Sequence, residues 1–392
     1  MRREINVGLI GYQFMGKAHS FAYRNLPMFF KTHSVPVMKI ICGRTEARVA
    51  EAAKTFGWQE HKTSWKEVIQ REDINLIDIV SPNATHKDIA VEAAKTGKHI
   101  LCEKPLATNF ADAKKMLEAV ESTGIKHMVC FNYRKAPAVS LAKKIIEEGQ
   151  LGKIYHFRAV YLQDWPADHN FPMVWKLNKQ SAGSGVHGDL NSHLVDLARF
   201  LVGDFAKVIG MQETFIRKRP ILGETFPKQG EKVKVEESDG EMEEVKVDDA
   251  TLFLARFKNG ALGSFEATRF AHGRRNGQRI EVNGSKGSLV FELEDMNILW
   301  FYSCEDANGL QGFRRIQATE PTHPYMSSWW APGHIIGYEN TFVHVIYDFM
   351  KAIDKDRIPL PNFEDGLECQ RVLEAVEISV QEERWVNVNE ID

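Results

Sequence analysis

The first third of the chain constrains the fold most, because strand-like and helix-like patterns alternate there at a steady rhythm. Apolar, β-branched-rich runs occur at Ile5–Ile10, Val37–Cys42, Ile74–Val80, His99–Pro105 and His127–Phe131. Between them lie segments of helical spacing: Phe14–Arg24, Glu46–Phe56, Trp65–Gln70, His86–Thr96 and Ala111–Thr123. Thr45 and Ser64 stand where helix caps belong, and Gly57, Gly97 and Gly124 stand where helices stop. Strands separated by helical crossovers cannot pair as hairpins. They predict a parallel sheet with helices on both faces, a doubly wound α/β domain.

The texture changes after Asn132. A helix over Ala138–Glu148 ends at Gly149, and Lys153–Trp165 alternates like a long antiparallel strand. The runs Thr251–Phe257, Ala261–Phe270, Arg279–Gly284 and Ser288–Glu294 are separated by turn signals at Lys258–Gly260 and Asn283–Gly284. They predict a meander in an open, mainly antiparallel sheet. Arg217–Lys246 is highly charged and reads as a surface excursion, a hairpin, and Glu364–Glu383 as a closing helix. At 392 residues two domains are expected. The boundary falls at 131/132, with a doubly wound domain over 1–131 and an α+β domain over 132–392.

A net charge of −3 creates no field to recruit nucleic acid or an anionic membrane. The five cysteines are scattered, never paired as C-x-x-C, which argues against disulfides and structural zinc and fits a reducing cytoplasm. Cys42, Cys102 and Cys130 lie in apolar runs and are expected to be buried and inert. No run approaches the roughly 18 apolar residues a membrane span requires. A soluble cytoplasmic protein is expected.

Three motifs carry chemistry. Gly11-Tyr12-Gln13-Phe14-Met15-Gly16 follows the first strand and opens the first helix, where main-chain N–H groups and the helix dipole favour a phosphate. Gln13 replaces the second glycine of G-x-G-x-x-G, so its side chain must swing clear. The second strand ends Cys42-Gly43-Arg44-Thr45 with no carboxylate for ribose hydroxyls, which leans towards tolerating a 2′-phosphate. The second motif, Cys102-Glu103-Lys104-Pro105, ends a parallel strand, where doubly wound folds bind ligands. Pro105 fixes a turn there, with a cis peptide as one way to make it, and Lys104 can orient a substrate oxygen or move a proton. The third runs Gly183–Asp196, glycines giving way to a helix with Asp189 and His193 four apart. A carboxylate one turn before an imidazole suits a general base. Two other readings stay open: His187, Asp189 and His193 as metal ligands, and Asp189 as a cap beside a packed His193.

Together these motifs, with Phe131–Pro137 (FNYRKAP) and the closing helix, resemble the Gfo/Idh/MocA oxidoreductases along essentially the whole chain. The resemblance implies a nicotinamide-binding domain followed by an open-sheet substrate domain, often oligomerising through that sheet as a dimer or tetramer. It implies Lys104, Asp189 and His193 as the catalytic set and no metal. His193 would take the hydroxyl proton as hydride leaves, Lys104 would hydrogen-bond the reacting oxygen, and Asp189 would orient the imidazole. NAD or NADP would be held by Gly11, Tyr12, Gln13, Phe14, Met15, Gly43, Arg44, Ser81, Asn83, His86, Glu103 and Lys104. Substrate contacts are expected from Tyr133 and Arg134, from Trp165, Asn170 and Trp175 in a polar-aromatic stretch, and from His334. Aromatic faces with short polar groups suit a sugar, anhydrosugar or polyol. A sugar hydrolase or lyase that recycles tightly bound NAD internally would use the same residues.

Overall fold

The computed structural model describes residues 3–221 and 241–392. In chain order, the N-terminal elements are β1 (Arg3–Ile10), α1 (Phe14–Phe29), β2 (Ser34–Cys42), α2 (Glu46–Phe56), β3 (Glu60–Lys62), α3 (Trp65–Gln70), β4 (Leu76–Ile79), α4 (His86–Lys95), β5 (His99–Cys102), α5 (Phe110–Glu121) and β6 (His127–Val129). The six strands form one parallel sheet in the order β3-β2-β1-β4-β5-β6. This is a doubly wound sheet, and its order reverses between β1 and β4, which opens a crevice beyond their carboxyl ends. Ile5, Val7, Leu9, Leu76, Ile77 and Leu101 are fully buried, as strands covered on both faces require. α1 runs beyond the expected Arg24 because Leu26 continues the buried stripe of Ala22 and Tyr23, with Pro27 accommodated inside the helix.

The second part continues with α6 (Pro137–Glu147), β7 (Ile154–Leu162), α7 (Lys179–Ala182), α8 (Ser192–Leu201), β8 (Phe205–Glu213), β9 (Lys218–Pro220), β10 (Met242–Glu244), β11 (Ala250–Phe257), β12 (Leu262–Thr268), β13 (Gly277–Gly284), β14 (Gly287–Glu292), β15 (Ile298–Ser303) and β16 (Arg314–Gln317). The chain closes with α9 (Tyr338–Asp354), α10 (Phe363–Glu382) and β17 (Val386–Asn387). Nine strands make an open sheet in the order β16-β15-β14-β13-β7-β12-β11-β8-β17. It is antiparallel except that β7 runs parallel to β12. The expected meander is thus interrupted: β7 inserts between β12 and β13, and alternation along a strand does not say which neighbours it takes. β9 and β10 pair antiparallel, so the expected excursion at Arg217–Lys246 is seen at its two flanks, and its middle lies outside the described residues.

The described residues pack as two compact units, Met1–Pro137 with Thr319–Gln370, and Ala138–Ala318 with Arg371–Asp392. The sequence reading placed 319–370 in the second domain. The packing differs because α9 buries Phe342, Val343, Ile346, Phe349, Met350 and Ile353 among Ala22, Tyr23, Leu26 and Phe30 of the first unit. In the second unit Phe157, Phe205, Phe253, Phe257 and Phe265 form the core on one sheet face, with the Phe253 and Phe265 rings stacked at 4.3 Å. The opposite face exposes Met211, Leu252, Leu254 and Leu262. Cys42, Cys102 and Cys130 are buried free thiols. Burial pushes the Cys42 thiol up to about 12 and raises the other two, which disfavours the reactive thiolate form.

Candidate active site

In the first unit the crevice begins at the turn after β1. Gly11 has φ +123°, a conformation that favours glycine, and a methyl there would lie 2.7 Å from the Val80 carbonyl oxygen. A methyl on Gly16 would lie 2.7 Å from the Gly11 oxygen, so the helix can approach its own turn only without a side chain. At Gln13 the backbone has ordinary φ −78° and the residue is exposed, so its side chain clears the turn as the sequence required. No side chain caps α1, and none of its first-turn residues is acidic. The turn therefore offers main-chain donors and the positive end of a sixteen-residue helix to an anion. The Tyr12 ring lies over Gly43 so closely that a methyl on Gly43 would collide with it. Arg44 at the β2 tip is exposed, Phe14 is exposed, and Met15 is half-buried against the core. On these features the turn fits a dinucleotide: close backbone approach, free helix donors and a flat aromatic wall.

The loop after β4 carries Ser81 and Asn83. The Ser81 and Thr85 hydroxyls are hydrogen-bonded at 2.6 Å. His86, expected to line the cofactor, is instead fully buried: Nε2 faces the Ser81 carbonyl at 2.9 Å and Nδ1 the Pro105 carbonyl at 3.1 Å. It ties the β4 loop to the Glu103–Pro105 turn rather than presenting a face to a ligand. Burial holds its imidazole below the ordinary range. At the end of β5, Glu103 is buried and Lys104 half-buried. The Lys104–Pro105 peptide is cis. The Lys104 main-chain N–H donates to Glu103 Oε2 at 3.1 Å, so the glutamate latches the backbone of the lysine that follows it.

Tyr133 and Arg134 form one turn after β6, both buried. Arg134 Nη2 reaches Asp365 Oδ1 at 3.1 Å, and Lys135 Nζ reaches Asp348 Oδ2 at 2.7 Å. These cations are thus engaged in the packing of the first unit. His334 also belongs to this unit; it is exposed, with Nδ1 at 2.9 Å from the Ala331 carbonyl.

In the second unit the glycine-rich stretch folds over Asp248. The Asp248 carboxylate accepts from the main-chain N–H groups of Gly185 (2.7 Å) and His187 (2.8 Å) and from the Thr251 hydroxyl (2.8 Å). A methyl on Gly185 would collide with Asp248, which is why glycine stands there. One π-helical turn, His187–Asn191, then leads into α8. Asp189 is therefore not the cap of α8. Its Oδ2 accepts from Lys176 Nζ and from Arg269 Nη2, each at 2.9 Å. Arg269 is fully buried, and its guanidinium lies 5.3 Å from the Trp165 ring centroid. Trp165 also donates from Nε1 to Gln163 Oε1 and meets Phe171 edge-on, while Trp175 lies under the Lys176 ammonium. Asn170 is exposed, its main-chain N–H held by Asp168. The 165–171 loop is fastened by buried Arg219, which donates to the carbonyls of Pro166, Asp168 and Phe171. His193 is buried on α8 with its ring 6.1 Å from that of Tyr161.

The metal reading of His187, Asp189 and His193 does not survive this arrangement. His187 faces the Leu373 carbonyl through Nε2 (2.9 Å) and Asn191 through Nδ1 (3.2 Å), so neither ring nitrogen is open. Among the described residues, the group close enough to share an ion is His19, Glu103 and Cys130. Sequence reasoning missed Arg269, Arg219, Asp248 and His19. For Asp248, just ahead of β11, a charged residue beside a cleanly alternating strand was the available signal; His19 on α1 and Arg269 among other arginines carried none.

Residues 5–131 match the family model described as "Oxidoreductase family, NAD-binding Rossmann fold", and residues 139–290 match "GFO/IDH/MocA C-terminal domain". The chain is 44% identical over 391 residues to levoglucosan dehydrogenase of Pseudarthrobacter phenanthrenivorans, covering 99% of both chains. A solved levoglucosan dehydrogenase, in complex with NADH and levoglucosan, superimposes with a TM-score of 0.92 at 43% identity, covering 98% of this chain and 99% of that one. An oxidoreductase domain protein from Kribbella flavida matches with a TM-score of 0.92 at 46% identity, again covering 98% and 99%.

Proposed function

The chain belongs to the Gfo/Idh/MocA oxidoreductases, and from that premise we propose that it oxidises a ring hydroxyl of an anhydrosugar of the levoglucosan type, with NAD as hydride acceptor. The observation that carries the substrate class is the similarity to levoglucosan dehydrogenase over 99% of both chains. The turn at Gly11–Gly16, with its uncapped α1 amides, would hold the pyrophosphate, and Tyr12 with Gly43 would wall the ribose side. When bound, the nicotinamide supplies the two-electron acceptor. Lys104 would hydrogen-bond the reacting oxygen, and His193 would accept the hydroxyl proton, the bound nicotinamide taking the hydride. Asp189, held by Lys176 and Arg269, would orient the His193 imidazole.

Of the residues first assigned to substrate, Trp165 and Trp175 keep that role, because they stand on the loop beside Lys176 and Arg269. Asn170 and Tyr133 are assigned to substrate on motif alone. Arg134 and His334 are not, because one is ion-paired to Asp365 and the other lies on an exposed turn. Copies of the chain associate through the apolar sheet face bearing Leu252, Leu254 and Leu262, and the protein works in the cytoplasm, where its free thiols stay reduced. No helix among the described residues is long and apolar enough to cross a membrane.

The test is initial-rate NADH formation with levoglucosan, glucose and myo-inositol, each with NAD and with NADP. Levoglucosan with NAD should give the highest kcat/KM. A higher kcat/KM for myo-inositol than for levoglucosan would refute the anhydrosugar assignment while keeping the dehydrogenase. Light scattering after size exclusion checks the association: a monomer would refute it.

A further inference from the structure

His19 lies on the buried face of α1, below the nucleotide turn, and takes no part in the chemistry described so far. Both its ring nitrogens face carboxylates. Nδ1 is 2.8 Å from Asp78 Oδ2 on β4, and Nε2 is 3.0 Å from Glu103 Oε1 at the end of β5. Tyr23, one turn further along α1, donates its hydroxyl to the same Asp78 oxygen at 2.9 Å. Cys130 Sγ lies 3.6 Å from Nε2, and the Phe342 ring of α9 packs 5.3 Å from the imidazole. His19, Tyr23 and Asp78 are essentially without solvent contact.

An ionised carboxylate can only accept hydrogen bonds. A neutral imidazole carries one N–H and can satisfy only one of these two partners, so the geometry calls for the imidazolium. Burial is the largest influence and opposes that charge, but the Asp78 carboxylate and the Cys130 sulfur together outweigh it and hold His19 well above its ordinary range. Burial likewise works against the Glu103 charge, and the His19 contact followed by the Lys104 charge brings it below the ordinary carboxylate range. The cluster is a buried cation between two anions.

Its consequence reaches the turn. Glu103 accepts from His19 through Oε1 and from the main-chain N–H of Lys104 through Oε2. One carboxylate therefore joins helix α1 to the backbone of the lysine that meets the reacting oxygen. Resting on the dehydrogenase reading above, we propose that His19, as an imidazolium shared between Asp78 and Glu103, is a positioning residue that fixes the Glu103–Pro105 turn and so aims Lys104. His19 does not touch substrate. It acts by holding the Glu103 carboxylate in the one orientation that latches the Lys104 amide.

His344, on α9 in the same unit, is the internal contrast. It is equally buried, but Trp329 Nε1–H donates to its Nε2 at 2.7 Å while its Nδ1 faces the Lys135 carbonyl at 2.8 Å. That pairing fixes a neutral ring with its proton on Nδ1.

The test has two readouts. In wild-type protein with ¹⁵N-labelled histidine, NMR at neutral pH should show His19 protonated on both nitrogens and His344 on Nδ1 alone. A singly protonated His19 would overturn the proposal without reference to activity. The second readout is steady-state kinetics of wild type, His19→Gln and His19→Ala. A misplaced catalytic group costs up to about a hundredfold. kcat should fall about tenfold to a hundredfold in His19→Ala and less in His19→Gln, which keeps one donor, while KM for NAD changes less than about threefold. A lower melting temperature with kcat per folded site unchanged would make His19 merely structural and overturn the proposal. A stoichiometric metal ion lost in His19→Gln would do the same, by making His19 a ligand. If His19→Ala does not fold, Glu103→Gln carries the kinetic arm: its amide can still accept from His19 but turns an NH₂ towards the Lys104 amide, and undiminished kcat would refute the latch. Wild type without turnover would count against the dehydrogenase reading, whereas wild-type turnover with undiminished His19 variants would count against the positioning role alone.

Discussion

The two charge clusters, one in each compact unit, use opposite charge logic. Beside Lys104 a cation, His19, sits between the carboxylates of Asp78 and Glu103; around Asp189 a carboxylate sits between the cations of Lys176 and Arg269. The first cluster is buried throughout, whereas in the second Arg269 is buried, Lys176 is about a third exposed and Asp189 lies between them at 18%. The lesson is that in both clusters a buried charge is backed by charge of the opposite sign. The backing is closed to solvent where it holds the backbone of the Glu103–Pro105 turn and part-open around Asp189.

If burial sets the strength of that backing, the two cations on Asp189 should be unequal. Removing one partner from a buried pair costs about 3–5 kcal/mol, whereas an exposed pair contributes about 0–1 kcal/mol. Arg269→Ala should therefore destabilise by about 3–5 kcal/mol and lower kcat/KM sharply, and Lys176→Ala should destabilise by less than about 1 kcal/mol. Denaturant melts of both variants check this, and equal losses would break the comparison.

The buried histidines sharpen it through pH. His344 is pushed from its ordinary 6.5 down to about 4 by burial. Above pH 6.5 it is neutral in both folded and unfolded chains and contributes no pH dependence. As pH falls from 6.5 towards 4 the unfolded chain binds a proton that the folded chain refuses, so stability drops, by roughly 3 kcal/mol in full. His19 has the opposite sign: its folded value is raised, so its contribution is complete below 6.5 and fades as pH rises through that folded value. Unfolding free energies of wild type and His344→Asn between pH 7 and pH 4 check the first statement. The variant should lose less stability over that interval.

How much of this was legible in the sequence differs between the two units. The β-α rhythm and the Gly11 and Glu103–Pro105 turns could be read because strands, helices and turns are encoded locally. Asp78 was hidden in Ile74–Val80, which reads as an apolar strand, although a carboxylate with no exposed face requires a partner. That partner, His19, lies on a different element, and no spacing rule links them. Arg269 stands near three other arginines, and nothing local marks it as the buried one. α9 carries an apolar stripe that any core would accept, so its membership of the first unit is a fact of packing rather than of pattern. Gln13, the apparent defect in the fingerprint, faces outward, whereas Gly11 and Gly16 are the positions where space is closed.

Gly11→Ala tests that last distinction. The added methyl meets the Val80 carbonyl in a positive-φ conformation, a strain of about 1–3 kcal/mol. NADH affinity by fluorescence titration should fall at least about tenfold, whereas Gln13→Ala should change it less than about twofold. The smallest effect is expected at the exposed Arg44. Arg44→Ala should leave NADH affinity within about twofold and weaken NADPH by about threefold to tenfold, on the order of 1 kcal/mol for one exposed charge contact. Equal changes for both nucleotides would show that Arg44 does not read the 2′-phosphate.

The most direct test of the central claim is stoichiometry. Purified protein is given NAD in excess and a limiting amount of levoglucosan, and NADH formed and sugar consumed are measured together. The account predicts one NADH for each levoglucosan consumed, with the sugar recovered as a ketone. Sugar consumed without NADH accumulating would contradict it and assign the protein to internally recycled NAD chemistry.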